Sequence, residues 1–505
     1  MKRRDFIIKV LLFVGLFVSL FSLLFSIYVP ADKLLFIAHH ISADGSCESC
    51  TLSQFTFLHI ILISGSIVFS ALFLLLQFGF IRKNIVSQYT LLLSYLQQLS
   101  FQQKVIILFL VGVALRVGLF LSSSPEMMYD DYLSPVVYVS TNHTLPSLST
   151  CYECFQPPLY FLFGGEIYST FSLFGIGIAV KSLQFFSLFC SLATLFLGLK
   201  ILKMIFSQTS AFFAGFSFLV FFPSEIYLST MISNSALTQL LVSLSLYLLL
   251  TFLRKPTLYL ALFVGVITGI ALITKPLSLI LIPLLLFMII QKISLEKRTA
   301  LLLVFVLIIA GSISMLEYGK NYYLYHTLWP HNTEYFPLHQ EPGFEGVSSF
   351  LTFRFFDILS YPIIHPSTYT SFWTNIYASM WYDYFPVYIR FASVNYLFGP
   401  LLFLLGIVPT ILIINGSIRL FQSKTERLFS VTLLLSILLV GVACILLPYY
   451  SSMKASYLLP AVIPFSVCFA EGYRSLKKSW PLILYFIISF YVAVTAHFLV
   501  LFFTL

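Results

Sequence analysis

The chain has 505 residues, a mean hydropathy of +0.97, and 59% hydrophobic against only 9% charged residues. No soluble core needs so much apolar sequence, so a water-soluble enzyme or binding module is excluded. The net charge of +9 is spread over separate segments with no basic patch interleaved with aromatics, which argues against nucleic acid as a partner.

In chain order, apolar runs long enough to cross about 30 Å of hydrocarbon fall at 6–28, 56–80, 105–122, 180–203, 210–226, 234–252, 257–274, 276–290, 300–318, 395–416, 427–447, 455–472 and 480–503. The expectation is an all-α polytopic membrane protein with about thirteen transmembrane helices. The first run follows Met1-Lys2-Arg3-Arg4 and has no small-residue cleavage site after it, so it reads as an anchor with a cytoplasmic amino terminus.

Charge tests that orientation. Arg82, Lys104, Lys200, Arg254, Lys297, Arg419, Arg427 and Lys477, among others, fall on the side of the amino terminus, as cytoplasmic loops require. Asp32, Asp44, Glu48, Asp130, Asp131, Glu153, Glu334, Asp357 and Asp383 fall on the opposite side. Counting 156–177 as a span would invert every later loop. Its Pro157-Pro158 start, Gly164-Gly165 break and internal Glu166 suit a segment lying along the outer interface instead.

The organisation that follows is two extra helices and a linker over 1–104, a transmembrane module over 105–318 with an outer loop at 123–179, an aromatic-rich outer loop at 319–394, and terminal helices over 395–505. Long outer loops on a helical scaffold are where a site would be built. The aromatics of 321–336 and 372–385 suit either an interfacial belt or the wall of a cleft for a sugar or an isoprenoid chain.

Asp130 and Asp131 are neighbours in an outer loop, so they point in different directions and take different jobs. One suits a general base, and a helix N-cap is the plain structural reading of such an Asp. Arg116 sits in the outer half of its span, and Lys275, Lys320 and Lys454 stand at outer span ends, where cations suit a lipid phosphate or snorkel singly to the interface.

Cys47-Glu-Ser-Cys50 and Cys151-Tyr-Glu-Cys154 are both on the outer side. Four such thiols hold zinc or form disulfides, for which three pairings exist, one option being a link between the amino-terminal hairpin and the 123–179 loop. The histidines, His331 and His365 among them, show no metal spacing.

The order of these features resembles the GT-C superfamily of polytopic glycosyltransferases, in the branch of the protein O-mannosyltransferases and the lipid A aminoarabinose transferase. The residues that carry it are the Asp130-Asp131 pair after an Arg-bearing span, FQPPLYF at 155–161, SEIYLSTMISNSA at 224–236, GIALITKP at 269–276, GKNYYLYHTLWPHN at 319–332 and KASYLLPAVIPF at 454–465. Together they cover roughly 105–470. The chain departs from that pattern at Asn234-Ser235, where many relatives have Asn-Asp, and at Lys320, where they have Arg.

The resemblance implies a seven-helix module with interfacial helices in its first outer loop. It also implies inverting transfer of a sugar from a polyprenyl-phosphate donor to a glycan, lipid or protein acceptor. Asp130 would be the base and Asp131 its companion; Lys275, and less directly Arg116, Lys320 and Lys454, would meet the donor phosphate; Gln156, Pro157, Pro158 and Tyr160 would belong to the substrate loop. A divalent metal is compatible but not required, and no nucleotide is called for. The setting expected is a prokaryotic plasma membrane with the site on the extracytoplasmic face. The rivals are a lipid-linked polysaccharide polymerase or ligase and, further off, a lipid or sugar transporter.

Overall fold

The computed structural model describes residues 98–505 apart from 126, 208, 294, 332–334, 337–342, 390–391, 424–425 and 481. The expected spans at 6–28 and 56–80, and Cys47 and Cys50, lie outside the described residues. The chain divides into two compact units, the larger comprising Ile107–Arg390 and Phe398–Leu505, and every site considered below belongs to it.

The described residues form helices joined by loops and short 3-10 turns. Through the first part of the chain these are α1 (Phe101–Ser122), α2 (Leu133–Asn142), α3 (Leu159–Ser172), α4 (Ile176–Phe206), α5 (Ser210–Val220), α6 (Pro223–Leu228), α7 (Asn234–Arg254), α8 (Leu258–Leu272) and α9 (Leu281–Ile293). There follow α10 (Lys297–Tyr325), α11 (Val347–Leu351), α12 (Phe355–Ser360), α13 (Phe372–Trp381), α14 (Ala392–Phe421), α15 (Arg427–Leu446), α16 (Val462–Leu476) and α17 (Ile483–Thr504). The helix starts are chemically marked. Thr209, Ser233 and Thr257 accept hydrogen bonds from first-turn amides of α5, α7 and α8, while Pro223 and Pro276 open helical turns that need no amide donor there.

Among the described residues nine helices are long and apolar enough to cross a membrane, and the 11-residue Ser210–Val220 and 15-residue Leu258–Leu272 are shorter apolar helices. These match the eleven expected spans that fall on described residues, with one difference. The span expected over 210–226 is broken at Phe221-Phe222 ahead of Pro223, which cannot donate to the preceding turn.

Helix α3 has 14 residues, about 21 Å of rise against about 30 Å of hydrocarbon, so it is too short to cross upright. Gly164-Gly165 does not break it, contrary to expectation. The two glycines are a notch against α2, because a Cβ on Gly164 or Gly165 would sit 2.9 or 2.7 Å from Val136 or Val139.

Helix α10 runs on to Tyr325, so the start of the expected 319–394 loop is helical, ending at His326 in a left-handed conformation with φ of 56°. It packs along α8. Gly265 and Gly269, four residues apart on α8, let Ile309 and Ile313 come so close that a Cβ would lie 2.8 and 2.7 Å from theirs. Small residues at this spacing let helices approach where lipid supplies no hydrophobic drive.

The aromatic run of α13 is partly core and partly the wall of a groove. Trp381 is fully buried against Phe218, Phe222, Tyr377 and Phe490, and the other face of α13 borders an apolar groove lined by Trp373, Tyr377, Ile414, Leu433, Leu434 and Leu458.

Candidate active site

The connection after α1 is held in place by its neighbours. Lys181 of α4 donates to the carbonyls of Phe120 and Ser123, Gln184 donates to that of Ser124, and the Ile232 amide donates to the Met127 carbonyl at 3.1 Å. The two aspartates that follow part company. Asp131 turns to α2, where Oδ1 accepts from the Ser134 amide at 3.0 Å and Oδ2 from the Ser134 hydroxyl. It is an exposed helix cap, and the cleft lining does not include it.

Asp130 instead lines a cleft of roughly 850 Å³, open mouth included, with Glu153, Gln156, Lys275, His331 and Tyr457. Lys454 Nζ approaches Asp130 Oδ1 at 3.4 Å, with the lysine 7% and the aspartate 21% exposed at their side chains. The ammonium also lies over the rings of Tyr129 and Phe385, at 5.0 and 5.4 Å, so it is fixed by aromatic faces as well as by charge.

Lys275 is positioned by the α8–α9 connection, where Pro276 follows it and opens a 3-10 turn. Its Nζ donates to Ser235 Oγ at 2.7 Å and to the Tyr132 hydroxyl at 3.3 Å, between the rings of Tyr132 and Tyr457. The ammonium is 3% exposed and its direct partners are neutral hydroxyls. Burial lowers its pKa, an effect opposed by the charges of Glu153 and Asp130. Ser235, at the position where the resemblance expects an Asp, is thus one of the two hydroxyl residues that bind Lys275.

Glu153 is the site residue that sequence reasoning missed. It stands on the 3-10 turn Tyr152–Phe155, is 4% exposed, and its Oε2 has no hydrogen-bond partner among the described residues. Burial raises its pKa, with the Asp130 charge adding to the effect and Lys275 opposing it. The only signal in the sequence was an acid enclosed by two cysteines ahead of Gln156-Pro157-Pro158.

Cys151 and Cys154 are bonded to each other, with Cα atoms 5.2 Å apart. This corrects the expectation of a link from this loop to the amino-terminal hairpin or a four-thiolate zinc site, since both thiols are consumed within one turn. Among the described residues no three His, Cys, Asp or Glu side chains are grouped to hold a metal.

The substrate-loop residues divide. Gln156 lines the cleft and accepts from Asn234 Nδ2 at 3.5 Å, whereas Pro157 and Pro158 lead into α3, and Tyr160 is buried edge-on to Tyr132. Lys320 lies outside the cleft lining; it pairs with Glu317 at 2.6 Å in a smaller pocket that also touches Phe155 and Gln156.

Arg116 is not brought to the cleft either. Its five N–H donors go to Ser191 Oγ, the carbonyls of Gly112, Val220 and Leu219, and Glu225 Oε1, and the residue is fully buried. A guanidinium with every donor used has none left for a phosphate.

Residues 156–315 match the family described as dolichyl-phosphate-mannose-protein mannosyltransferase. The matched segment contains Gln156, Ser235 and Lys275, and leaves Asp130, Glu153 and Lys454 outside it. No curated protein matches the chain. Among solved structures, ArnT from Cupriavidus metallidurans in the apo state aligns over 75% of this chain and 78% of its own, at 13% identity and a TM-score of 0.34. The same enzyme bound to undecaprenyl phosphate aligns over 75% and 79% at 12% identity, with a TM-score of 0.34. The Archaeoglobus fulgidus oligosaccharyltransferase in complex with Zn and sulfate aligns over 78% of this chain and 52% of its own, at 12% identity and a TM-score of 0.42. The chain thus spans about half the length of that last protein. The resemblance to the glycosyltransferases read from the sequence is met by the family match over 156–315.

Proposed function

We propose that this chain, whose residues 156–315 match a mannosyltransferase family, is a membrane glycosyltransferase that moves a sugar from a polyprenyl-phosphate donor to an acceptor hydroxyl on the extracytoplasmic face, by a single inverting displacement. The observation that carries the reading is Lys275, a buried ammonium whose hydrogen bonds among the described residues go to hydroxyls and which faces the same cleft as Asp130. A buried cation without a bonded counter-ion suits an anionic ligand.

In this reading Lys275 meets the phosphate and offsets the charge that builds on it as the bond between the anomeric carbon and the phosphate oxygen breaks. Asp130, oriented by Lys454, takes the proton of the acceptor hydroxyl as its oxygen forms the new bond to the same carbon. Holding both substrates in line supplies much of the rate.

A place for the isoprenoid tail lies alongside. Leu433, Leu434 and Ile437 of α15 line the apolar groove, and Val440 and Ala443 of the same helix, with Leu447 just after it, line the polar cleft. Successive turns of one helix thus pass from an apolar wall to the charged site, as a lipid phosphate requires. The outward placement rests on the Lys and Arg bias of the opposite loops.

The test is transfer of labelled sugar from a polyprenyl-phosphate donor mixture to membranes, comparing wild type with Asp130→Asn at equal expression. Labelling by wild type and none by the variant is the expected result. Equal labelling would remove Asp130 as base, and no labelling with any donor would remove the donor class.

A further inference from the structure

Glu153 is used by neither role above, yet it stands at the same cleft. The Cys151–Cys154 disulfide closes the turn around it, and Tyr152, Glu153, Phe155 and Gln156 all line the cleft from that turn. One carboxyl oxygen, Oε2, is buried and without a hydrogen-bond partner among the described residues.

The charges around it decide what form it can take. Asp130, from the connection after α1, is answered by Lys454, from the connection between α15 and α16. Lys275, from the connection between α8 and α9, is answered by hydroxyls. Tyr132 and Tyr457 also act on Glu153, and Tyr152 and His331 line the same cleft. An ionised Glu153 would add a second negative charge beside Asp130 and compete with any anion for Lys275. A protonated Glu153 leaves the Lys275 charge free and offers an O–H donor in addition.

We propose that Glu153 is a donor-binding residue that meets the phosphate diester as the neutral acid, donating a hydrogen bond to it beside Lys275. This rests on the donor reading above. The direction of its pKa, raised first by burial and then by Asp130, agrees with the geometry.

The experiment is infrared difference spectroscopy on the full chain in lipid nanodiscs, at a pH just above the Glu153 midpoint, which is read first by titrating the carboxyl band of the ligand-free protein. The probes are methyl farnesyl phosphate and dimethyl phosphate, diesters that keep a single charge across the range. The expected result is a gained C=O band of a protonated carboxyl, shifted in deuterated water, absent in Glu153→Gln and displaced in Glu153→Asp. A gain with either probe meets the expectation, and a gain with the farnesyl ester alone identifies the source as a lipid headgroup.

Glu153→Gln keeps a donor and should bind the farnesyl ester within about threefold of wild type near neutral pH, whereas Glu153→Leu should bind about tenfold more weakly. A bound probe without the band in wild type, or a band that survives in Glu153→Gln, overturns the inference and leaves the donor reading standing. If the farnesyl ester fails to bind at any pH, both fall together.

Discussion

Lys454 and Asp130 meet at 3.4 Å although 324 residues separate them in the chain. The contact joins the connection after α1 to the connection between α15 and α16, and it orients the carboxylate that the proposed reaction uses as base. Asp130→Asn is expected to lower kcat by about 10²–10⁴-fold, the usual worth of a general base. Lys454→Met should lower kcat by a smaller factor with little change in donor KM, measured by steady-state transfer in detergent.

Asp131, its neighbour, is a cap. Asp131→Ala should cost about 1 kcal/mol of stability through the lost bond to the Ser134 amide, with kcat near wild type. Thermal unfolding and transfer rates on the same preparation would check it; a loss of kcat like that of Asp130→Asn would refute the division.

Lys275→Met should raise the donor KM or Kd by about 10–100-fold, the worth of one charge-assisted hydrogen bond. Ser235→Ala, which removes the hydroxyl at 2.7 Å from Lys275, should move it the same way by less. Equilibrium binding of a polyprenyl phosphate diester gives the comparison.

Arg116 is expected to act on stability. Arg116→Met leaves Glu225 buried without its cation and should cost about 3–5 kcal/mol. The double variant Arg116→Met with Glu225→Gln should recover part of that loss, as read by thermal unfolding. Folded Arg116→Met that has lost donor binding selectively would return Arg116 to the phosphate site.

The buried Glu153 sets a slope in stability against pH. Its folded pKa of about 8 lies above the ordinary 4.5, so between these values the folded chain holds a proton the unfolded chain has released. Stability should therefore fall with rising pH across that window, by at most about 1.4 kcal/mol per unit. Lys275, lowered by burial, works in the opposite sense at higher pH. Glu153→Gln should flatten the slope between these two values; an unchanged slope would place the titration elsewhere.

Much of the fold was legible because hydropathy is local: a run such as 427–447 or 480–503 declares its helix without reference to any other part of the chain. The site was legible only in part. Asp130 and Lys275 stand out as charges next to apolar runs, but nothing local distinguishes Lys275, held by hydroxyls, from Lys320, paired with Glu317, or from Arg116, spent on carbonyls. Glu153 carried little signal, because its burial comes from elements far away in sequence.

By itself the sequence determined the class, the helices and the bias of charge to one side, all consequences of what each segment costs in hydrocarbon or water. Which charges share a cleft was decided by tertiary structure alone. Close packing at Gly265 and Gly269, the Ser235 contact and the reach of Lys454 across the bundle depend on distances between segments, and free energy of that kind is invisible until the helices are side by side.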